Sequence, residues 1–160
     1  MQKNHSDMSK MSENHYRHLA IMAILSFIAM CILMYSMVNT IGNVYNNFNQ
    51  FYMAGLMAAP MVVIELVVMR AMYPNKRLNM LIIVVSIVAL LGFFLFIRQQ
   101  TGISDKQFLR SMIPHHAGAI LMCEESSIQD PEIQELCGTI ISSQQAEINQ
   151  MEAILQRLEE

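Results

Sequence analysis

The chain has no tryptophan, only three cysteines, and charged side chains at just 14% of its 160 positions. A soluble domain carries about 25% charge, so this is not a wholly soluble protein. Three cysteines are too few for a disulfide-stapled scaffold, and neither a paired CxxC zinc pattern nor a heme-attachment motif occurs. Positive charge is not in excess either: ten Lys and Arg stand against thirteen Asp and Glu, a formal net charge of -3. Without a basic surface to release counterions, nucleic acid is excluded as a partner. The longest absence is positional, since no Lys, Arg, Asp or Glu occurs between Arg17 and Glu65.

What fills the chain instead is apolar: 54% of residues are hydrophobic and sixteen are methionine. About 20 apolar residues cross a bilayer, and residues 19–38, 51–69 and 78–97 each meet that length. The expected organisation is a cytoplasmic His/Met-containing tail (1–18), a three-helix membrane domain (19–97) and a C-terminal domain (98–160). The loop between the second and third spans holds Arg70, Lys76 and Arg77, whereas the loop between the first two holds no charge. The positive-inside rule then puts the N-terminus in the cytoplasm and the C-terminal domain outside, in the periplasm if the membrane is a bacterial inner membrane. The first apolar run starts late, is long and lacks a small-residue cleavage site, so it is expected to stay as a signal anchor.

Span two carries Ala54, Gly55, Ala58 and Ala59, two small-xxx-small pairs suited to close helix packing. It also carries Pro60 and Glu65. An intramembrane carboxylate marks a functional site or lies close to the interface, and both readings stay open for Glu65. Met53, Met57, Met61 and Met69, with Met22, Met30, Met34 and Met37 on span one, suggest a ladder for soft metal. Spacing of four drifts by about 40° per step, and methionine is an ordinary packing residue, so packing is the preferred reading. Cys31 reads as a small core residue. In the tail, His5, Met8, Met11, His15 and His18 either gather soft donors or belong to a polar, unfolded segment, the latter being preferred.

Beyond residue 98, Ser104 and Gln107 have the spacing of a capping box, which predicts a helix from about 105 to 127. Asp130-Pro131-Glu132 supplies an N-cap, a proline at the first helical position and a first-turn acid, predicting a second helix over 131–158. The expected fold is all-α, with an antiparallel helical hairpin after the three spans. At about 100° per residue, Phe108, Met112, His116, Ala119 and Cys123 share one face of the first helix. Ile133, Cys137, Ile140, Gln144, Ile148, Met151 and Leu155 form the stripe on the second. Folding about Asp130 sets His116 opposite Gln144 and Cys123 opposite Cys137, while Pro114 is expected to kink the helix and free a carbonyl beside the histidines.

The blocks FLRSMIPHHAGAILMCEE and DPEIQELCGTIISSQQAEINQMEAIL resemble the bacterial family called domain of unknown function 305, over essentially all of residues 104–158. The signature positions matched are Met112, His115, His116, Ala119, Ile120, Met122, Gln144, Glu147, Ile148 and Met151. The resemblance implies a ferritin-like helical bundle associated with copper and silver resistance, with His and Met as copper ligands. Many members repeat the hairpin to complete four helices. This chain has one copy, and a hairpin of about 55 residues has little core of its own, so homodimerisation into a four-helix bundle is expected.

Imidazole and thioether donors suit Cu(I) or Ag(I) rather than hard cations. The candidate ligands are His115, His116, Met112, Met122, Met151 and Glu147, with Gln144 fixing an imidazole tautomer. The alternative is a buried histidine bonded to Gln144 or Glu147 among core methionines. Cys123 and Cys137 are open to a disulfide, to thiolate ligation or to remaining unpaired. A di-iron oxidase would need Glu-x-x-His pairs, yet Met112 and Ile113 stand three before the histidines. No nucleophile-base set or phosphate-binding glycine loop occurs, so no enzyme is expected. The expected function is an inner-membrane protein that binds copper or silver for resistance or homeostasis, by sequestration or by handover to a metal carrier or efflux partner. The rival is a metal-free membrane assembly protein with a dimerising bundle.

Overall fold

The computed structural model describes the backbone of residues 2–160 and side chains from residue 14 onward. All regular structure among these residues is helical: α1 (Gln2–Leu33), α2 (Phe48–Val68), α3 (Lys76–Gln99), α4 (Asp105–Glu125) and α5 (Pro131–Glu159), with short 3-10 turns at Met34–Met37 and Ile41–Asn43. The tail is therefore not unfolded as expected, because its backbone continues α1 back to Gln2. Residues up to Ile32 with Phe51–Gln100 form one compact unit, and Leu33–Gln50 with Thr101–Glu160 form another.

The first unit contains three helices long and apolar enough to cross a membrane, Asn14–Met37, Phe48–Val68 and Lys76–Gln99, the first continuing into the turn of the second unit. Most of their side chains stay exposed to the surroundings, an arrangement that lipid tolerates and water does not. α2 is the packing helix, as its small residues predict: Ala54, Gly55, Ala58 and Ala59 are all buried. Phe93 of α3 lies so close to Gly55 that a Cβ there would sit 2.5 Å from the ring. Phe51 adds an edge-on contact with Phe27, at 4.9 Å between ring centroids. Towards the α2–α3 turn, Leu19, Leu66 and Tyr73 form a small core with Tyr16, Met22 and Val62 around it. Asn75 caps α3 by accepting from the Leu78 amide at 3.1 Å.

The second unit is the hairpin plus a layer the sequence did not announce. α5 starts as expected, with Pro131 in its first turn and the Asp130 carboxylate accepting from the Glu132 and Ile133 amides at 2.9 and 3.1 Å. The α4 start differs. Ser104 occupies the N-cap, but its side chain bonds no helix amide. Gln107 does not close a capping box, because its Oε1 accepts from the Phe48 amide at 3.0 Å. The α1–α2 loop thus lies along α4, with Val38 and Tyr45 packed on the hairpin core. Gly118 permits the approach, since a Cβ there would sit 3.2 Å from the Met37 carbonyl oxygen.

That core comprises Leu109, Ile113, Ala117, Ile120, Ile148, Met151 and Leu155. Its α4 face is rotated by one residue from the expected one: Leu109 and Ile113 are buried, whereas Phe108 is half exposed. On α5 the Ile148, Met151 and Leu155 end of the expected stripe is buried, but Ile133 is exposed. The helix runs continuously through Pro114. Proline has no amide to offer the carbonyl four residues earlier, and the Asn47 side chain donates to that Arg110 carbonyl instead, at 3.4 Å. The freed carbonyl is therefore met by the loop and is not left for a ligand. At the far end of the hairpin, Arg110 and Glu159 form an ion pair at 2.7 Å.

Candidate functional site

Cys123 and Cys137 are joined as a disulfide with Cα atoms 5.3 Å apart, within the range such bridges span. Of the three readings left open by the sequence, this structure adopts the bridge. It pins the turn end of the hairpin and withdraws both sulfurs as thiolate donors.

Two turns along α4 from Cys123, His116 turns inward and is only 8% exposed. Its Nδ1 lies 3.1 Å from Glu147 Oε2, an ion-pair distance without hydrogen-bond alignment, and Nδ1 has no hydrogen-bond partner. Gln144 Oε1 is likewise buried without a partner, so the expected His116–Gln144 hydrogen bond is not made. Burial pushes the His116 pKa below the ordinary histidine value; Glu147 pulls it back up and His115 pushes it further down. A neutral ring with a lone pair is the form that ligates metal.

The thioethers divide. Met151 belongs to the hairpin core and Met112 packs against it, one helical turn before His116 on the same face. Met122 is 53% exposed and His115 is exposed, although its ring centroid lies 6.0 Å from that of His116. The structure thus brings His116 and the exposed Glu147 together, places Met112 and Met151 about one turn away at the hairpin core, and leaves Met122 and His115 on the surface. Among the described residues, no group of three or more His, Cys, Asp and Glu is arranged to hold a metal ion.

Glu65 is half-buried near the end of α2, where the Tyr73 hydroxyl donates to its carboxylate at 3.3 Å. Met53, Met57 and Met69 are exposed while Met61 is half-buried, as lipid-facing and packing residues would be. Cys31 is partly buried and unbridged. The side chains of His5, Met8 and Met11 lie outside the described residues.

The fold defines an all-α protein with three helices long and apolar enough to cross a membrane and a helical hairpin that holds one buried histidine beside a carboxylate. Residues 97–155 match the family described as "Domain of unknown function (DUF305)". The chain is 40% identical over 107 residues to "Uncharacterized protein L153" of Acanthamoeba polyphaga mimivirus, an alignment covering 66% of this chain and 68% of that protein. The chain belongs to this family. The aligned stretch is longer than residues 97–160, so the similarity extends into the apolar helices. No solved structure matches it.

Proposed function

We propose that the protein sits in a bacterial inner membrane and binds Cu(I) or Ag(I) in its hairpin, for resistance or homeostasis by sequestration or handover. The observation that carries this reading is the buried His116 imidazole, its Nδ1 3.1 Å from the Glu147 carboxylate, with Met112 one turn before it on α4 and Met151 four residues beyond Glu147 on α5. Imidazole and thioether donors together suit a soft monovalent cation. Glu147 supplies the charge that neutralises a monovalent ion. Exposed His115 and Met122 serve as the donors that deliver metal to the buried ligand or remove it.

Charge and redox chemistry support the orientation in this reading. Arg70, Lys76 and Arg77 are all exposed at the α2–α3 turn, which favours a cytoplasmic position. The α1–α2 loop packs with the hairpin in one unit, so both lie on the same side, as three crossings require. A bridged cysteine pair in that unit fits the oxidising periplasm. Anaerobic Cu(I) titration of the full chain in detergent, against a competing chelator, tests the reading. The His115→Ala/His116→Ala variant should lose one equivalent of tight binding, and cells carrying it should lose metal tolerance; unchanged binding would overturn the proposal.

One observation favours a second reading, a metal-free assembly protein. Phe108, Met122, Ile133 and Leu136 leave about half of their surface exposed on the hairpin, apolar area that a second copy would cover. Under that reading the chain is dimeric in mild detergent and both histidines are dispensable for metal tolerance.

A further inference from the structure

The first unit has a half-open pocket of about 240 Å³ whose lining includes His15, exposed His18, Met22, Glu65, exposed Met72 and Tyr73. His15, His18 and Met22 recur at three- and four-residue spacing and so share one face of α1. Buried Leu19 completes the wall on that face. Across from them, α2 contributes Glu65 and the α2–α3 turn contributes Met72 and Tyr73. The helix start and the turn are clamped independently of the histidines, since the Tyr16 hydroxyl donates to Asn79 Oδ1 at 2.6 Å and accepts from the Asn75 amide at 3.2 Å.

Two of the lining groups are held in set orientations. His15 Nδ1 lies 3.1 Å from the Met72 carbonyl oxygen, which can only accept, so the proton sits on Nδ1 and the lone pair on Nε2. A histidine ligand is commonly fixed in this way by a carbonyl. The same ring meets Tyr73 edge-on at 6.5 Å, and the Tyr73 hydroxyl in turn holds the Glu65 carboxylate at 3.3 Å.

We infer that this pocket is a second binding site, for a soft monovalent cation of the Cu(I) or Ag(I) type, separate from the hairpin. The lining offers two imidazoles and two thioethers, donor types that soft cations prefer, with the Met22 sulfur also accepting from the Ser26 hydroxyl at 3.5 Å. The single carboxylate makes a monovalent complex neutral at the edge of an apolar helix unit, where a divalent ion would leave uncompensated charge. The site explains why a carboxylate lies in α2 and why soft donors from the tail and span one share a wall with it. It does not rest on the hairpin reading.

The test is anaerobic Ag(I) competition on the full chain in nanodiscs, in a His116→Ala background that removes the hairpin site. One equivalent of tightly bound Ag(I) should remain, and His15→Ala/His18→Ala should weaken it at least 100-fold. Because losing His15 also removes the bond to the Met72 carbonyl, Met22→Leu/Met72→Leu provides a second variant of matched volume; it should weaken binding at least tenfold with helix content unchanged. No retained Ag(I) in the background, full retention in both variants, or stoichiometric displacement of Ag(I) by Zn(II) would each overturn the site. Failure of the hairpin reading appears separately, as no difference in equivalents between the wild type and His116→Ala.

Discussion

Reducing the Cys123–Cys137 bridge should loosen the hairpin by an amount that the chain separation sets. The bridged residues are 14 apart, and closing a loop of about 15 residues removes roughly 3 kcal/mol of unfolded-state entropy. At 1.36 kcal/mol per tenfold, that corresponds to about a 150-fold change in the opening equilibrium. For a domain of this size the same loss lowers the midpoint of thermal unfolding by roughly 12–24 °C. The assay is hydrogen exchange read by mass spectrometry on the full chain in detergent, comparing Cys123→Ser/Cys137→Ser with the oxidised wild type. Amides of α4 and α5 should exchange about two orders of magnitude faster, while those of α2 and α3 keep their rates. Equal hairpin protection in the two proteins would refute the assignment of the bridge as the clamp on the turn.

Other expectations follow from single contacts. Ile113 is fully buried at the centre of the hairpin core, and Ile113→Ala should cost about 2–5 kcal/mol, measured by denaturant unfolding of the second unit. Gly55→Leu would drive a side chain into Phe93 and should cost about 1–3 kcal/mol, read as a lower unfolding temperature in detergent. Asp130→Ala removes a cap that accepts two amides and should cost about 1 kcal/mol, seen as faster exchange in the first turn of α5. The His116 pKa is lowered on folding, so below about pH 6.5 the unfolded chain takes up this proton first. Metal-free hairpin stability should therefore be complete above that pH and fall as pH drops through the folded pKa. His116→Gln should remove that part of the pH dependence, checked by urea unfolding at pH 7.5 and pH 5.

The long apolar helices were legible because an apolar run of bilayer length admits few alternatives, and α2 and α3 begin and end within three residues of expectation. The Asp130 cap and the juxtaposition of Cys123 with Cys137 were legible because a short turn fixes the register near it, whereas the choice of a bridge over free or ligating thiols came from the structure. Further from the turn the expected register drifts, and His116 meets Glu147 at 3.1 Å, one turn beyond Gln144. The α4 face was misread by one residue because helical periodicity assumes a single partner. Here α4 packs against both α5 and the α1–α2 loop, so burial spreads from Leu109 and Ile113 through His116, Ala117 and Gly118 to Ile120. Nothing in that polar loop is periodic, and its hold on α4 works through Asn47 and the Phe48 amide. The same contacts took Gln107 away from its capping box and covered the carbonyl freed by Pro114. Of the candidate ligands, His116, Met112 and Met151 face the hairpin interior and Glu147 reaches His116 from its exposed side, while rotation about α4 carries His115 and Met122 outward.

The proposed hairpin site centres on buried His116 rather than on its exposed neighbour. Cu(I) competition on the full chain with His116→Ala and His115→Ala measured separately tests this most directly. His116→Ala should lose one equivalent of tight binding, whereas His115→Ala keeps the wild-type stoichiometry and changes only exchange kinetics. Wild-type stoichiometry and affinity in His116→Ala, or loss of the equivalent in His115→Ala alone, would contradict it.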